Sequence, residues 1–221
     1  MISSTNHLDI APSWYTVTRL GQSEIVLPAA MLVIIILLVN SQTRALALRW
    51  MVGLALAALI TLATKLAFIG WGIGWTAIDF TGISGHAMCA AATYPVLFLA
   101  LGSGRSLRWI VCLQALAWSL VIAVAVSRIM VGAHSPSEVV AGLLLGGAVS
   151  VVALTGSSKL TFAVHPVAIS VLLIWFSMGT NEMPPSQTHS RITSLALSIS
   201  GRTVPFKRAD VRIHAINPQH I

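Results

Sequence analysis

Ser127, Arg128, His134 and Glu138 set a cation, an imidazole and a carboxylate at fixed spacing between two strongly apolar runs. A second short segment, Ser84-Gly85-His86, and an isolated Lys65 stand at the edges of other apolar runs. One Lys, one Arg and two His at the ends of membrane helices suggest a site for a phosphate group. Charge this close to a bilayer core is costly, so it usually has a use.

Each residue also has a structural reading. Ser135-Pro136-Ser137-Glu138 reads as a capping box: Ser135 at the N-cap, Pro136 at the first helical position, Glu138 three after the cap. Capping alone would account for Glu138. The functional reading is compatible with it, because a carboxylate beside an imidazole fixes its tautomer and raises its basicity. His134 would then be a nucleophile or a general base. Ser84 suits the N-cap of a helix whose free N–H groups form an anion site, and Gly85 lets a ligand approach the backbone. His86 falls in the first turn of that helix. Alone it would read as an interfacial histidine; together with His134, Lys65 and Arg128 on one face it reads as functional. Lys65 either snorkels to the headgroups or points at a phosphate. Arg128 is either a topology anchor or a planar fork for bidentate phosphate contact. Asp79 could pair with one of these cations or cap a turn, and its role stays open. His165, beside Pro166, reads as structural, and His7, His189, His214 and His220 carry no pattern.

The elements that must position these groups are membrane helices. Of 221 residues, 56% are hydrophobic and 9% charged, where a soluble domain carries roughly 25% charged residues. Six apolar runs fall at about 24–40, 51–70, 86–102, 109–126, 138–155 and 162–179, each near the length that crosses a hydrocarbon core as a helix. The expected fold is an all-α bundle of six transmembrane helices. Three parts follow: a polar or interfacial lead over 1–22, with Trp14 and Tyr15 at headgroup level, a six-helix domain over 23–179, and a basic, flexible tail over 180–221. Within the tail, 192–199 is apolar enough to lie on the membrane surface. Pro28, Pro95 and Pro166 are tolerable inside such helices, and the small residues of Gly142 to Ala148 read as helix-packing positions.

The chain has 13 Lys+Arg against 6 Asp+Glu, a net +7. The cations are scattered over loops and tail, with no basic stripe interleaved with aromatics, so no nucleic-acid partner is implied. Arg44, Arg49, Arg105, Arg108 and Lys159 lie in or beside the first, third and fifth connections, which the positive-inside rule assigns to the cytoplasm. The second and fourth connections, which carry the motifs, then share the outer face. Six spans also bring the basic tail to that face, against the charge rule. Cys89 and Cys112 lie in apolar runs without metal-ligand or disulfide spacing. The first twenty residues lack a basic n-region and a cleavage pattern, so the first membrane helix is expected to act as the insertion signal.

These residues resemble a known family, the type 2 phosphatidic acid phosphatases, which share their site with vanadium haloperoxidases. Ser127, Arg128 and His134 match the third family motif, S-R-x5-H-x3-D, with Glu138 in the Asp position. Ile83-Ser84-Gly85-His86 matches three of the four residues of P-S-G-H. Lys65 matches the start of K-x6-R-P, but Gly72 and Ile73 stand where Arg and Pro belong. The resemblance spans about residues 50–155. It implies attack by His134 on phosphorus to form a phosphohistidine, with Glu138 orienting and polarising His134 and His86 serving as acid and then base. It implies that Lys65, Ser84, Gly85, Ser127 and Arg128 hold the phosphate, and that no metal or other cofactor takes part. Loss of the first-motif Arg removes one phosphate cation, and any substitute must come from elsewhere in the chain.

The implied function is a membrane lipid phosphatase acting on a lipid phosphate or diphosphate at the outer face, in a bacterial inner membrane. Its partners would be the lipid substrate and the bilayer. Transfer of the phosphoryl group to another lipid is a close variant through the same intermediate. A lipid-binding or transport protein that kept the phosphate cradle is the non-enzymatic alternative, supported by the missing Arg. A haloperoxidase is disfavoured by the membrane-embedded composition and the same missing Arg.

Overall fold

A computed structural model describes residues 11–155, 175 and 188–210. Every named element among them is helical. The helices are α1 (Ala11–Arg19), α2 (Ser23–Val39), α3 (Arg44–Trp71), α4 (Gly85–Gly102), α5 (Leu107–Met130), α6 (Pro136–Leu154) and α7 (Thr188–Ser200), with one 3-10 turn at Thr76–Ile78. Helices α3 to α6 are each long and apolar enough to cross a membrane, and α2 is a shorter apolar helix. Five of the six expected runs are therefore helices. The sixth, 162–179, lies outside the described residues apart from Trp175, whose indole Nε1 donates to Ile25 O (3.0 Å).

The bundle is built around α4. Ala87, Ala90, Ala91 and Ala92 are all 0% exposed, whereas α3 and α5 leave Leu56, Leu59, Leu116 and Ile122 on the outside, as lipid-facing surfaces require. Helix α4 packs against α6, α5, α2 and α3. Its contact with α6 is backbone-close. A Cβ at Gly142 would stand 2.6 Å from Ser84 O, and one at Gly146 would stand 2.2 Å from Met88 O. These two glycines, one turn apart, meet Ala87 and Ala91, also one turn apart on α4. Small residues on both faces let the helices approach until main chains touch. That contact brings the first turns of α4 and α6 together: Ser84 N donates to Glu138 O (3.1 Å). The packing reading of the 142–148 glycines is correct, and the packing itself builds the site.

Buried polar ties hold the other helices on α4. Trp50 Nε1 of α3 donates to Ala92 O (2.8 Å) and Gln114 Nε2 of α5 to Pro95 O (2.8 Å). Tyr94 OH donates to Leu20 O (2.6 Å), which fixes the turn between α1 and α2. Helix α3 ends at Gly72, whose φ of +71° is a left-handed conformation that glycine adopts without strain.

The two ends of the chain depart from the sequence expectation. Residues 11–22 are more than an interfacial lead, because α1 packs on α5 and Thr18 and Gln22 are buried. Within 180–221, residues 188–210 take a defined course. Ile192 and Ala196 of α7 pack on Leu66, Phe68 and Ile69 of α3, and Thr188 Oγ1 donates to Glu24 Oε1 (2.8 Å) at the start of α2. Half-apolar patterning with Ser and Thr disguises this helix, since only one narrow face is buried against α3. Its outer face still exposes Leu195 and Ile199. The segment ends at the motif-bearing end of the bundle, the end that the six-span reading assigned to the tail.

Candidate active site

The centre of the site is the Glu138 carboxylate, 0% exposed in the first turn of α6. A buried charge is costly unless paired and hydrogen-bonded, and this one receives five donated bonds. Oε1 accepts from Thr81 N (2.7 Å) and from the Thr81 hydroxyl. Oε2 accepts from Ser135 N (3.3 Å), Arg208 Nη2 (2.8 Å) and His134 Nδ1 (2.6 Å). The capping box is real: Ser135 Oγ accepts from Glu138 N (3.4 Å) while the Glu138 carboxylate accepts from Ser135 N. The geometry is compatible with both readings of Glu138, because one oxygen, Oε2, accepts from the cap Ser135 N and from His134 Nδ1.

An ionised carboxylate only accepts, so Nδ1 of His134 carries the hydrogen and Nε2 keeps its lone pair. His134 lies in the turn between α5 and α6 with its side chain 13% exposed. Its pKa is pushed below the ordinary 6.5, first by burial and then by the Lys65 and Arg128 charges, against the opposing pull of Glu138. A neutral, correctly tautomerised imidazole near pH 7 is what a histidine nucleophile needs.

The other sequence-predicted residues surround this pair. Arg128, Lys65 and His134 are all electrostatic neighbours of His86, which sits in the first turn of α4. Gly21 permits this, since a Cβ there would stand 3.0 Å from His86 Cβ. Lys65 comes from α3, and its Nζ lies 3.7 Å from where a Gly85 Cβ would be, so Gly85 leaves the approach to the ammonium uncovered. Arg128, in the last turn of α5, donates from Nη1 to Thr18 Oγ1 (2.7 Å). Its Nε is buried without a hydrogen-bond partner among the described residues, as is Ser84 Oγ at the N-cap of α4. Two buried polar groups left unsatisfied each cost about 1–3 kcal/mol, and the oxygens of a phosphate are what would satisfy them. Ser127 behaves differently from the expectation: it is 0% exposed and its hydroxyl donates to Val124 O (2.6 Å) inside α5, so its visible bond is to its own helix rather than to the cradle.

Three contributors escaped the sequence. Thr81 grips Glu138 twice, Thr18 orients Arg128, and Arg208 reaches Glu138 from the C-terminal segment. Asp79, whose role the sequence left open, pairs with Arg208 (Oδ2 to Nη1, 2.8 Å). No spacing pattern marks these residues, because each arrives from a separate turn or segment.

The PAP2 superfamily model matches residues 23–162. The chain belongs to the PAP2 superfamily. A protein of Klebsiella pneumoniae described as an uncharacterized 22.5 kDa protein in cps region is 31% identical over 212 residues, which cover 92% of this chain and 99% of that protein. No solved structure matches the chain. Membership in the PAP2 superfamily supports a phosphatase-type function in general, and the apolar helices make this a membrane protein.

Proposed function

We propose that this PAP2 superfamily member is an integral membrane lipid phosphatase that hydrolyses a lipid phosphate or diphosphate through a phosphohistidine. The observation that carries the reading is the His134–Glu138 pair (2.6 Å) set among Lys65, His86 and Arg128 at one end of a membrane bundle. In the first step the Nε2 lone pair of His134 attacks phosphorus and the bond from phosphorus to the leaving oxygen breaks, the lipid alkoxy oxygen of a phosphate or the bridging oxygen of a diphosphate. That oxygen takes a proton from His86. Glu138 balances the positive charge that develops on the imidazole. In the second step His86 takes a proton from water, the water oxygen attacks phosphorus, and the P–N bond breaks, returning its electron pair to Nε2 and releasing phosphate. Lys65, Arg128 and the Ser84–Gly85 backbone at the start of α4 hold the phosphoryl oxygens while charge builds on them.

The membrane setting favours a lipid substrate, whose phosphate sits at the interface while its chains stay between helices. Arg44, Arg105 and Arg108 lie at the opposite end of the bundle from the motifs, which by the positive-inside rule supports a site on the outer face, and the membrane we propose is a bacterial inner membrane. The test is phosphate release by the detergent-purified protein from a panel of lipid phosphates and diphosphates, with EDTA present, beside His134→Ala. Release that vanishes in the variant is expected. A second reading, a phospholipid-binding or transport protein, is favoured by glycine at position 72. Folded wild type that binds but never releases phosphate would establish it. Labelled phosphate appearing on an acceptor lipid instead of in solution would identify the phosphotransferase variant.

A further inference from the structure

An arginine at position 72, where the first family motif expects one, would be strained in this structure. Gly72 has φ +71°, and a Cβ there would stand 3.1 Å from Phe206 Cε1, with two more ring carbons within 3.3 Å. The C-terminal segment fills this space. Phe206 N donates to Ile69 O (3.0 Å), the Arg202 guanidinium stacks 4.2 Å from the centroid of the Phe206 ring, and two residues further on Arg208 enters the site. Its guanidinium forks: Nη1 donates to Asp79 Oδ2 (2.8 Å) and Asp79 O (3.3 Å), and Nη2 to Glu138 Oε2 (2.8 Å) and the Thr81 hydroxyl (3.4 Å). Arg208 therefore stands behind the carboxylate, on the oxygen that also accepts from His134 Nδ1.

We propose that Arg208 is a positioning residue of this site, a guanidinium delivered by the C-terminal segment to clamp Glu138 between the 79–81 turn and His134. The inference rests on the phosphatase reading for its kinetic consequence but not for its electrostatic one. A planar fork suits this task, since one group must bridge two carboxylates on different segments. Arg208 holds Glu138 ionised with Oε2 within reach of Nδ1, and its charge offsets part of the negative potential that Glu138 and Asp79 exert on the imidazole. The groups facing His134 are Glu138 from α6, Lys65 from α3, His86 from α4 and Arg128 from α5, with Asp79 and Arg208 behind Glu138. Removing one positive charge from this set favours the imidazolium, so the His134 midpoint rises.

The experiment compares full-length Arg208→Gln, Arg208→Lys, Asp79→Asn and Lys207→Gln in detergent. Two readouts are taken: kcat and KM for phosphate release across pH, and the His134 midpoint by NMR of histidine-labelled protein, assigned with His134→Ala. Arg208→Gln is expected to lower kcat about ten- to a hundredfold, the worth of a charge-assisted contact, with KM changed far less. The His134 midpoint should rise by on the order of half a unit or more. Arg208→Lys should restore the midpoint and only part of kcat. Asp79→Asn, which frees one arm of the fork, should give a kcat between wild type and Arg208→Gln, while the loss of its negative charge shifts the His134 midpoint down rather than up. Lys207→Gln, an exposed neighbour whose described contact is through its backbone, should match wild type. A wild-type kcat and midpoint in Arg208→Gln overturns the proposal. Should Arg208→Gln fail to fold, an Asp79→Asn protein with wild-type kcat and midpoint overturns it equally. If wild type releases no phosphate from any lipid, the phosphatase reading fails, and the midpoints alone decide the role of Arg208.

Discussion

Glu138→Gln separates capping from chemistry at a single atom. The carboxylate accepts from Thr81 N, the Thr81 hydroxyl, His134 Nδ1, Ser135 N and Arg208 Nη2. An amide can satisfy only one side. Its better orientation keeps the oxygen toward His134, Ser135 and Arg208 and turns the NH2 toward Thr81. The Thr81 hydroxyl can rotate to accept, but Thr81 N–H then meets another donor and is left unpaired. That costs about 1–3 kcal/mol of stability. The larger effect expected from the proposed mechanism is on turnover, because a neutral amide does not support the cationic imidazole that attack would form. The corresponding acid-to-amide change in a serine-protease triad costs about 10⁴-fold, so a kcat loss of about 10³- to 10⁴-fold is expected, or roughly 4–5.5 kcal/mol in the barrier. Phosphate release and thermal unfolding of the same detergent preparation check both parts. Ser135→Ala supplies the contrast: it removes the cap oxygen, costs about 0.5–2 kcal/mol of stability and should leave kcat near wild type. A Glu138→Gln protein with lowered Tm and kcat within tenfold of wild type would refute the reasoning and reduce Glu138 to a helix cap.

Three further outcomes follow from the same geometry. In the proposed mechanism His134 attacks only when neutral, and its pKa is held below 6.5, so activity should persist on acidification through 6.5 and fall as pH drops through the lowered value. Between those two values the unfolded chain binds the extra proton, so His134 makes stability rise with pH there, which a series of Tm measurements at acid pH would register. Gly146→Ala places a Cβ 2.2 Å from Met88 O and must push α6 from α4. A loss of about 1–3 kcal/mol should appear as a lowered Tm with reduced turnover, while Gly147→Ala, whose Cβ meets only Trp118 at 3.7 Å, should be close to neutral. Lys65→Met removes a cation of the proposed phosphate cradle and should lower kcat/KM about ten- to a hundredfold, with less effect on binding of a lipid that carries no phosphate.

Much of this protein was legible in one dimension because the physics is local there. Hydrocarbon forces the backbone to satisfy itself, so apolar runs of spanning length become helices wherever they occur, and 51–70, 86–102, 109–126 and 138–155 reappear in α3 to α6. The capping box is contained within four residues, and His134 and Glu138 are four apart, so their pairing needs only the start of one helix. Lys65, His86 and Arg128 could be assigned to one face because each stands near the same end of a span. What the chain did not announce was decided by close packing across long separations. Thr81 finds Glu138 only once α4 and α6 meet through Gly142 and Gly146. Thr18 finds Arg128 only because α1 lies on α5. Arg208 finds Glu138 across 70 residues because α7 packs along α3 and Phe206 settles over Gly72. A lone arginine in a polar, Ser-rich tail has no period and no cap to betray it. Its role comes from two buried or half-buried carboxylates that need a cation, a demand that exists only after the tertiary structure has placed Asp79 and Glu138 side by side.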